Sequence, residues 1–306
     1  MRGVFVPVIG ALAATATAAS SNTTCAEGLY ILCARGSGEP AVAPKAGTYP
    51  DNTGSPGVLA LQVAQQIKGT IIAGVIYPAT DPTATGALNL TAYELSENTG
   101  AKSIVEEVNQ YHSACPDSKI ALIGYSQGAQ VIQDALCGGT GGDFNSDAPL
   151  SPDLVEKNVI AIALIADPTH IANTTYDHGT GVHDGVFPRK NTTVCNQYSG
   201  LMGSWCGRGD RYCDSGNNDT IHNLAPLTYD TDVVQFVVEK WQNSTSQGGS
   251  GSTAIGTASS STMAGSTGSP TNTASGSANS AAGAPRSGRL LTLLGTGVLL
   301  ALWSLH

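Results

Sequence analysis

The sequence KIALIGYSQGAQVIQDAL, residues 119–136, joins two patterns that together decide the fold. Residues 119–124 form an apolar run without the alternation of a half-exposed strand, which predicts a strand covered on both faces. A helical pattern follows over residues 127–136, and the turn between them reads Gly124-Tyr125-Ser126-Gln127-Gly128. A G-x-S-x-G turn between a strand and a helix is typical of a nucleophile elbow. The flanking glycines lack side chains that would crowd the turn, so the Ser126 hydroxyl can project above the sheet beside a helix N-terminus.

The rest of the chain repeats this alternation of strands and helices. Runs rich in Ile, Val and Leu predict three more strands, at residues 29–34, 70–77 and 159–166. Helical patterns lie around residues 58–67, 104–111 and 233–241. Such alternation predicts a doubly wound parallel sheet with helices on both faces. Between residues 167 and 232 the periodicity mostly disappears, which predicts a long loop region above the sheet.

Charge limits the partners of this domain. Residues 25–243 hold all 23 Asp and Glu but 11 of the 14 Lys and Arg, a net charge of −12. A surface this acidic repels phosphate backbones and anionic lipid headgroups, so nucleic acid is excluded as a partner. The 219 residues from 25 to 243 are sufficient for one domain with one sizeable core.

The N-terminus has the pattern of an export signal. Met1 and Arg2 precede an apolar run from Val4 to Ala14, and Ala16-Thr17-Ala18 gives the small-x-small pattern of a cleavage site. We therefore predict a cleaved signal peptide over residues 1–18. The alternative, a membrane anchor, is disfavoured because the apolar run is too short to span a bilayer.

The C-terminus predicts a tethered protein. Residues 244–285 contain 19 Ser or Thr, 8 Gly and 8 Ala and no charge, which predicts a disordered, O-glycosylated stalk. An apolar run of 16 residues follows at 290–305. We interpret residues 286–306 as a signal for a glycosylphosphatidylinositol anchor, removed on attachment within Ser277 to Ala282. A short single-span anchor is the alternative.

Sequons and cysteines agree with an extracellular, glycosylated protein. The predicted N-glycosylation sites are Asn22, Asn89, Asn173, Asn191, Asn218 and Asn243. Seven cysteines in an oxidising compartment should mostly pair and leave one over. Cys206 and Cys213 are close enough in sequence to close a small loop, whereas the other pairings stay open. Cys33 lies in an apolar run, where a buried thiol behaves as a small hydrophobe, and the absence of a CxxC pair disfavours a zinc site.

A serine nucleophile requires a histidine base. In hydrolases with this elbow the base follows the serine in the chain, which excludes His112, and His306 would be removed with the tail. His222 is the leading candidate because it lies in a predicted loop before the last helix and downstream of an acid. His170, His178 and His183 remain as alternatives; with Asp177 and Asp184 they could suggest a metal site, but their spacing fits no ligand pattern.

Two aspartates compete as the acid that orients the base. Asp167 follows the fourth predicted strand, where a parallel sheet presents functional groups. Asp210 lies in the loop between Cys206 and Cys213, which a disulfide would hold rigid. Asp214 and Asp219 are more distant possibilities.

Together these motifs resemble a known family. Gly-Tyr-Ser-Gln-Gly at 124–128, Cys-Gly-Arg-Gly-Asp-Arg-Tyr-Cys at 206–213, a following Gly-Asn-Asn-Asp and His222 are similar to the fungal cutinase and acetylxylan esterase family of serine esterases. The resemblance covers nearly all of residues 25–241. It implies a compact three-layer α/β-hydrolase without a lid, built on a five-stranded parallel sheet.

The resemblance also implies roles for individual residues. Ser126 would be the nucleophile, Asp210 the acid and His222 the base, while Ser37 and the backbone N–H of Gln127 would form the oxyanion hole. The implied disulfides are Cys25–Cys115, Cys137–Cys195 and Cys206–Cys213, with Cys33 free. Neither a metal nor an organic cofactor is implied.

We therefore expect a surface-tethered serine esterase that cleaves short acyl or acetyl esters of plant or wall polysaccharide. A cutinase acting on a longer-chain polyester is the close alternative. It ranks second because the polar stretch at residues 170–191 argues against a broad hydrophobic rim for long acyl chains. A non-catalytic cell-wall interaction protein is the alternative from another class. We expect a monomer whose only membrane contact is the lipid anchor.

Overall fold

The computed structural model describes residues 23–42, 50–141, 144 and 148–248. The predicted signal peptide, Asn22, the predicted anchor signal and most of the predicted stalk lie outside these residues. The strands are β1 (Leu29–Ala34), β2 (Ile71–Gly74), β3 (Lys119–Tyr125), β4 (Val159–Ile165), β5 (Asp177–Gly179) and β6 (Met202–Cys206). The helices are α1 (Gly54–Gln66), α2 (Leu90–Ala114), α3 (Gln127–Cys137), α4 (Pro152–Asn158), α5 (Thr193–Gln197), α6 (Asp219–Thr228) and α7 (Asp230–Gly248).

The strands form one sheet in the order β2-β1-β3-β4-β6-β5, and every neighbouring pair is parallel. Ala34 pairs with Gly124, and Gly124 pairs with Leu164. The central strands β1, β3 and β4 therefore end at the same edge of the sheet. Loops that leave this edge can bring side chains from distant parts of the chain together.

Helices cover both faces of the sheet. Ile120 and Leu122 of β3 pack in the core that includes α2 and α3, whereas Ala121 and Ile123 pack in the core that includes α1 and α7. Successive side chains of a strand point to opposite faces, so a strand covered on both sides must be apolar throughout. The predicted three-layer α/β architecture is confirmed.

Within the described residues the sheet has six strands, so the prediction of five strands is wrong. Strands β5 and β6 lie within the region predicted to be a loop, as do helices α5 and α6. Strand β5 has only three residues, and β6 contains Gly203 and Ser204 in place of β-branched residues. Helix α6 includes Pro226 and buries only His222 and Ala225. His222 therefore lies on a short helix, and not in a loop as the sequence predicted.

Three disulfides crosslink the domain, with the pairing that the resemblance implied. They are Cys25–Cys115, Cys137–Cys195 and Cys206–Cys213. Cys33 is a free, buried thiol on β1, and burial raises its pKa well above the ordinary value. A buried thiol that stays protonated is a poor nucleophile.

The two ends of the domain lie close together. Cys25, Cys115, Lys119 and Trp241 line one shallow depression, and Lys119 is the first residue of β3. Helix α7 continues through Gly248, five residues into the segment predicted as a stalk. Within the described residues, no helix has both the length and the apolarity to cross a membrane.

Two of the predicted glycosylation sites cap helices. The Oδ1 atom of Asn89 accepts from the N–H of Ala92 at 3.0 Å at the start of α2. The Oδ1 atom of Asn218 accepts from the N–H of Thr220 at 2.9 Å at the start of α6. Both asparagines are exposed. These bonds use the amide oxygen, so the amide nitrogen, which carries an N-linked glycan, is not engaged by them.

Candidate active site

Ser126 occupies the sharp turn between β3 and α3. Its backbone has φ 53° and ψ −122°, a strained conformation for a residue with a side chain. A Cβ atom on Gly128 would lie 2.0 Å from the carbonyl oxygen of Ala34, and one on Gly124 would lie 2.6 Å from the carbonyl oxygen of Gly128. The strand, turn and helix can therefore pack this closely only with glycine at both positions. The arrangement is the predicted elbow geometry.

His222 reaches Ser126 from helix α6. Its Nε2 atom lies 2.9 Å from the Ser126 Oγ atom, and the residue is 4% exposed. The hydroxyl of Tyr125 donates to the backbone carbonyl of His222 at 3.2 Å. The ring of Tyr212 packs edge-on against the imidazole with a centroid separation of 4.5 Å. These contacts hold the imidazole beside the serine.

Asp210 completes a continuous hydrogen-bonded chain. Both of its carboxylate oxygens lie 3.0 Å from the Nδ1 atom of His222, and the aspartate is fully buried. Its Oδ1 atom also accepts from the backbone N–H groups of Tyr212 at 2.7 Å and Cys213 at 3.0 Å. The loop that carries it is closed by the Cys206–Cys213 disulfide. A carboxylate held in this way fixes the imidazole with Nε2 free to accept the serine proton.

The rival acids have other partners. Asp167 is buried and accepts from the N–H and the hydroxyl of Thr169 at 2.8 and 2.7 Å, and burial raises its pKa to about 6. Asp214 accepts from the N–H groups of Gly209, His183 and Val182. Burial alone would raise the pKa of Asp214, but these donors lower it overall. Asp219 pairs with Arg211. Of the four aspartates, only Asp210 contacts the base.

The rival histidines also lie elsewhere. His170 is buried with its Nδ1 atom 3.2 Å from the Ser204 hydroxyl and its Nε2 atom 3.5 Å from Asp177. His178 stacks on Trp205, and His183 is an exposed partner of Asp214. The described part of the chain contains no cluster of three or more His, Cys, Asp or Glu that could hold a metal ion.

One predicted oxyanion donor is next to the serine in the chain, and the other lines the same cleft. Gln127 is the first residue of α3, so its backbone N–H has no acceptor within the helix. Ser37 lines the same cleft as Ser126. The loop that carries Ser37 is fixed by Glu39, which accepts from the N–H of Gly36 at 2.6 Å and from the N–H of Ser55 at 2.9 Å. Both donors are therefore held on fixed backbone.

A buried polar seam between α2 and α3 was not predicted from the sequence. The Ser96 hydroxyl donates to Oε1 of Gln127 at 3.0 Å, and the Tyr93 hydroxyl donates to Oε1 of Gln130 at 2.9 Å. One turn further, Glu97 faces Asp134, which also pairs with Arg189. Burial, followed by the charge of Asp134 and a hydrogen bond to it, raises the pKa of Glu97 to about 10. No local pattern signals this seam, because its residues are polar and its two helices are separated in sequence.

A cleft of about 600 Å³ opens above Ser126 and His222. Its lining includes apolar side chains: Leu88, Leu90, Tyr93, Val186 and Phe187. Its lining also includes polar and charged side chains: Asp81, Arg211, Asp219 and Asn223. Val186 and Phe187 belong to the stretch whose polar composition argued against a hydrophobic rim. The cleft therefore offers a substrate both apolar contacts and hydrogen-bonding groups.

A parallel sheet with a strained serine elbow at its carboxyl edge defines an α/β-hydrolase. The family model for cutinase matches residues 25–241. The chain belongs to the cutinase family, and it is a carboxylic ester hydrolase.

Individual relatives agree with this membership. The chain is 31% identical over 230 residues to an acetylxylan esterase of Hypocrea jecorina, covering 74% of each chain. It is 30% identical to cutinase 11 of Verticillium dahliae, covering 61% of this chain and 63% of the relative. The catalytic core domain of acetyl xylan esterase from Trichoderma reesei superposes with a TM-score of 0.60 at 29% identity, covering 71% of this chain and all of that domain.

Proposed function

We propose that this protein is an extracellular, surface-tethered serine esterase that hydrolyses short acyl or acetyl esters of plant or wall polysaccharide. The observation that carries the proposal is the hydrogen-bonded chain from Asp210 through His222 to Ser126. The acetylxylan esterases among its relatives support the substrate class.

In the first half of the reaction, Ser126 attacks the ester carbonyl. The proton moves from Oγ to Nε2 of His222 as the new C–O bond forms, and Asp210 stabilises the resulting imidazolium. Ser37 and the N–H of Gln127 stabilise the oxyanion, a contribution of about 3 kcal/mol per donor in related chemistry. The tetrahedral intermediate collapses when the bond to the alcohol breaks, and His222 gives its proton to the departing oxygen.

In the second half, water repeats the attack on the acyl-enzyme. His222 takes a proton from the water, and the Ser126 oxygen leaves with that proton as the carboxylic acid is released. Every proton transfer therefore passes through the one imidazole nitrogen that lies 2.9 Å from Ser126.

A cutinase acting on a longer-chain polyester is the second candidate. It is favoured by the apolar side chains at the mouth of the cleft, since Leu88 is 66% exposed and Val186 is 40% exposed. Exposed apolar side chains beside a cleft can receive an acyl chain longer than acetyl.

The extracellular part of the proposal is supported by the three disulfides, which persist in oxidising compartments. The tether is supported by the sequence of the C-terminus alone. Treating intact cells with a phospholipase specific for phosphatidylinositol should release the esterase if it carries a lipid anchor. Release by detergent only would favour a spanning segment.

The enzymatic part is tested by hydrolysis of nitrophenyl acetate, butyrate and palmitate, beside a Ser126→Ala variant. Turnover of acetate alone, abolished in the variant, would support a polysaccharide deacetylase. A maximum at butyrate or longer would favour the cutinase alternative. No turnover by the correctly folded protein would overturn the enzymatic proposal.

A further inference from the structure

A buried serine on α2 contacts the first residue of α3. Ser96 is 1% exposed, and its hydroxyl donates to the Oε1 atom of Gln127 at 3.0 Å. The same hydroxyl oxygen accepts from the backbone N–H of Thr80 at 2.9 Å. A hydroxyl that accepts one bond can still donate its single proton to another partner, so both bonds can form together. Ser96 therefore joins the segment before α2 to the start of α3.

The segment before α2 is also bonded to the loop that carries Ser37. The N–H of Gly38 donates to the carbonyl of Ala79 at 2.8 Å. The buried guanidinium of Arg35 donates to a carbonyl of the Ser37 loop at 3.0 Å and to a carbonyl of the segment before α2 at 3.3 Å. One hydrogen-bonded path therefore runs from the Ser37 loop through Ser96 to α3.

The strained turn at Ser126 explains why such a path matters. The ψ angle of Ser126 sets the direction of the next backbone N–H, which is that of Gln127. Because this backbone is strained, at φ 53° and ψ −122°, a rotation of the peptide that relieved the strain would turn the N–H away from the oxyanion. Gln127 is fully buried, and its side chain is bonded to Ser96. The rotation is opposed because it would pull that side chain from its partner.

We propose that Ser96 is a positioning residue that holds the two oxyanion donors, Ser37 and the N–H of Gln127, at a fixed separation. Ser96 acts through the segment before α2 and through the side chain of Gln127, without touching the substrate. Preorganised donors stabilise the transition state more than the ground state, so loosening them lowers kcat more than it raises KM. This inference rests on the oxyanion roles in the proposed function and adds a residue that neither loop contains.

The inference is tested with Ser96→Ala, assayed on nitrophenyl acetate well below the unfolding temperature. We expect kcat to fall roughly tenfold with little change in KM, less than the roughly hundredfold fall on losing a whole oxyanion donor. The pH midpoint of kcat/KM, which reports the base His222, should not move. The inhibition constant of a boronic acid, which binds Ser126 as a tetrahedral anion, should rise by the factor by which kcat falls.

Two further variants accompany this one. Ser103→Ala is the matched control, because Ser103 lies on the same helix and its hydroxyl donates to the carbonyl of Ile76 at 2.9 Å, a bond that involves neither oxyanion donor. It should leave kcat unchanged. Gln127→Met removes the acceptor of the Ser96 hydroxyl but retains the backbone N–H, and it decides the question if Ser96→Ala does not fold. Because both substitutions break the same hydrogen bond, the double variant should be about as slow as the slower single variant.

A Ser37→Ala variant separates this inference from the proposed function. If kcat falls in Ser37→Ala but not in Ser96→Ala, the role of Ser96 is only structural and the inference is overturned. A fall in kcat for Ser96→Ala together with a shifted pH midpoint would place the effect on His222 and would also overturn it. Both results leave the proposed esterase intact. If Ser37→Ala retains full kcat, or if Ser126→Ala retains activity, the proposed mechanism itself fails and the inference fails with it.

Discussion

At the scale of single residues, two buried aspartates compete as the hydrogen-bond partner of His222. Asp167 and Asp210 both lie near the carboxyl edge of the sheet, and both are almost completely buried. Asp210 directs both oxygens at His222, whereas Asp167 is bonded to Thr169. The structure thus shows which of the two aspartates contacts His222, a choice that sequence spacing left open.

This difference predicts opposite results for two matched variants. We expect Asp210→Asn to lower kcat by about four orders of magnitude, because the amide favours the wrong tautomer of the base. Asp167→Asn should retain kcat, since Asp167 does not contact His222. Steady-state kinetics on nitrophenyl acetate measure both effects. A comparable loss in the two variants would contradict the assignment of Asp210 as the orienting acid.

At this scale, the sequence predicted the turn at Ser126 because the turn has a local signature. Ser126 is flanked by two glycines that the close packing of β3 and α3 requires. Ser96 and Glu97 have no such signature, because their partners Gln127 and Asp134 lie on another helix. Contacts between distant segments depend on packing, which a single sequence does not display.

At the scale of elements, the seam between α2 and α3 links the stability of the fold to pH. Glu97 lies on α2, Asp134 lies on α3, and both are fully buried. The pKa of Glu97 is raised to about 10, and burial also raises the pKa of Asp134. Folding therefore retains a proton that the unfolded chain releases near the ordinary pKa of Glu.

We expect the free energy of unfolding to fall as pH rises between about 4.5 and about 10, the ordinary and the raised pKa of Glu97. Across this window the native state binds more protons than the unfolded state, so each proton contributes a slope of up to about −1.4 kcal/mol per pH unit. Glu97→Gln keeps the shape but cannot ionise. Urea unfolding at pH 5, 7 and 9 should show the variant gaining stability relative to wild type as pH rises. A constant difference would show that Glu97 does not titrate in this window.

How well the sequence predicts a strand or helix depends on how much of that element is buried. Strands β1, β3 and β4 are buried on both faces and therefore appear in the sequence as continuous apolar runs. Strand β5 is short and partly exposed, and α6 buries only two side chains. These elements depend on contacts with their neighbours, which explains why the sixth strand and the helix of His222 were not predicted.

At the scale of the whole molecule, two predicted glycosylation sites are next in sequence to residues that line the cleft. Asn89 lies between Leu88 and Leu90, and Asn218 directly precedes Asp219; these three neighbours line the cleft. Glycans at these positions would flank the mouth of the cleft. They would hinder a polymer chain more than a small soluble ester.

Thr91→Ala and Thr220→Ala remove the sequons but keep the asparagine caps of α2 and α6. In a glycosylating host we expect these variants to hydrolyse acetylated polysaccharide several-fold faster and nitrophenyl acetate at an unchanged rate. Thr245→Ala, which removes the sequon near Trp241, is the matched control. Equal rates for all three variants on the polymer would contradict shielding of the cleft.

The position of the two domain ends determines how this enzyme can be mounted on a support. Cys25 and Trp241 lie beside the first residue of β3, and Ser126 follows its last residue, so the ends and the cleft are at opposite poles. A fusion partner, resin or display scaffold attached at either end would therefore leave the cleft pointing outward. Dissolved esters should therefore still reach the cleft of the immobilised enzyme, whichever end is attached.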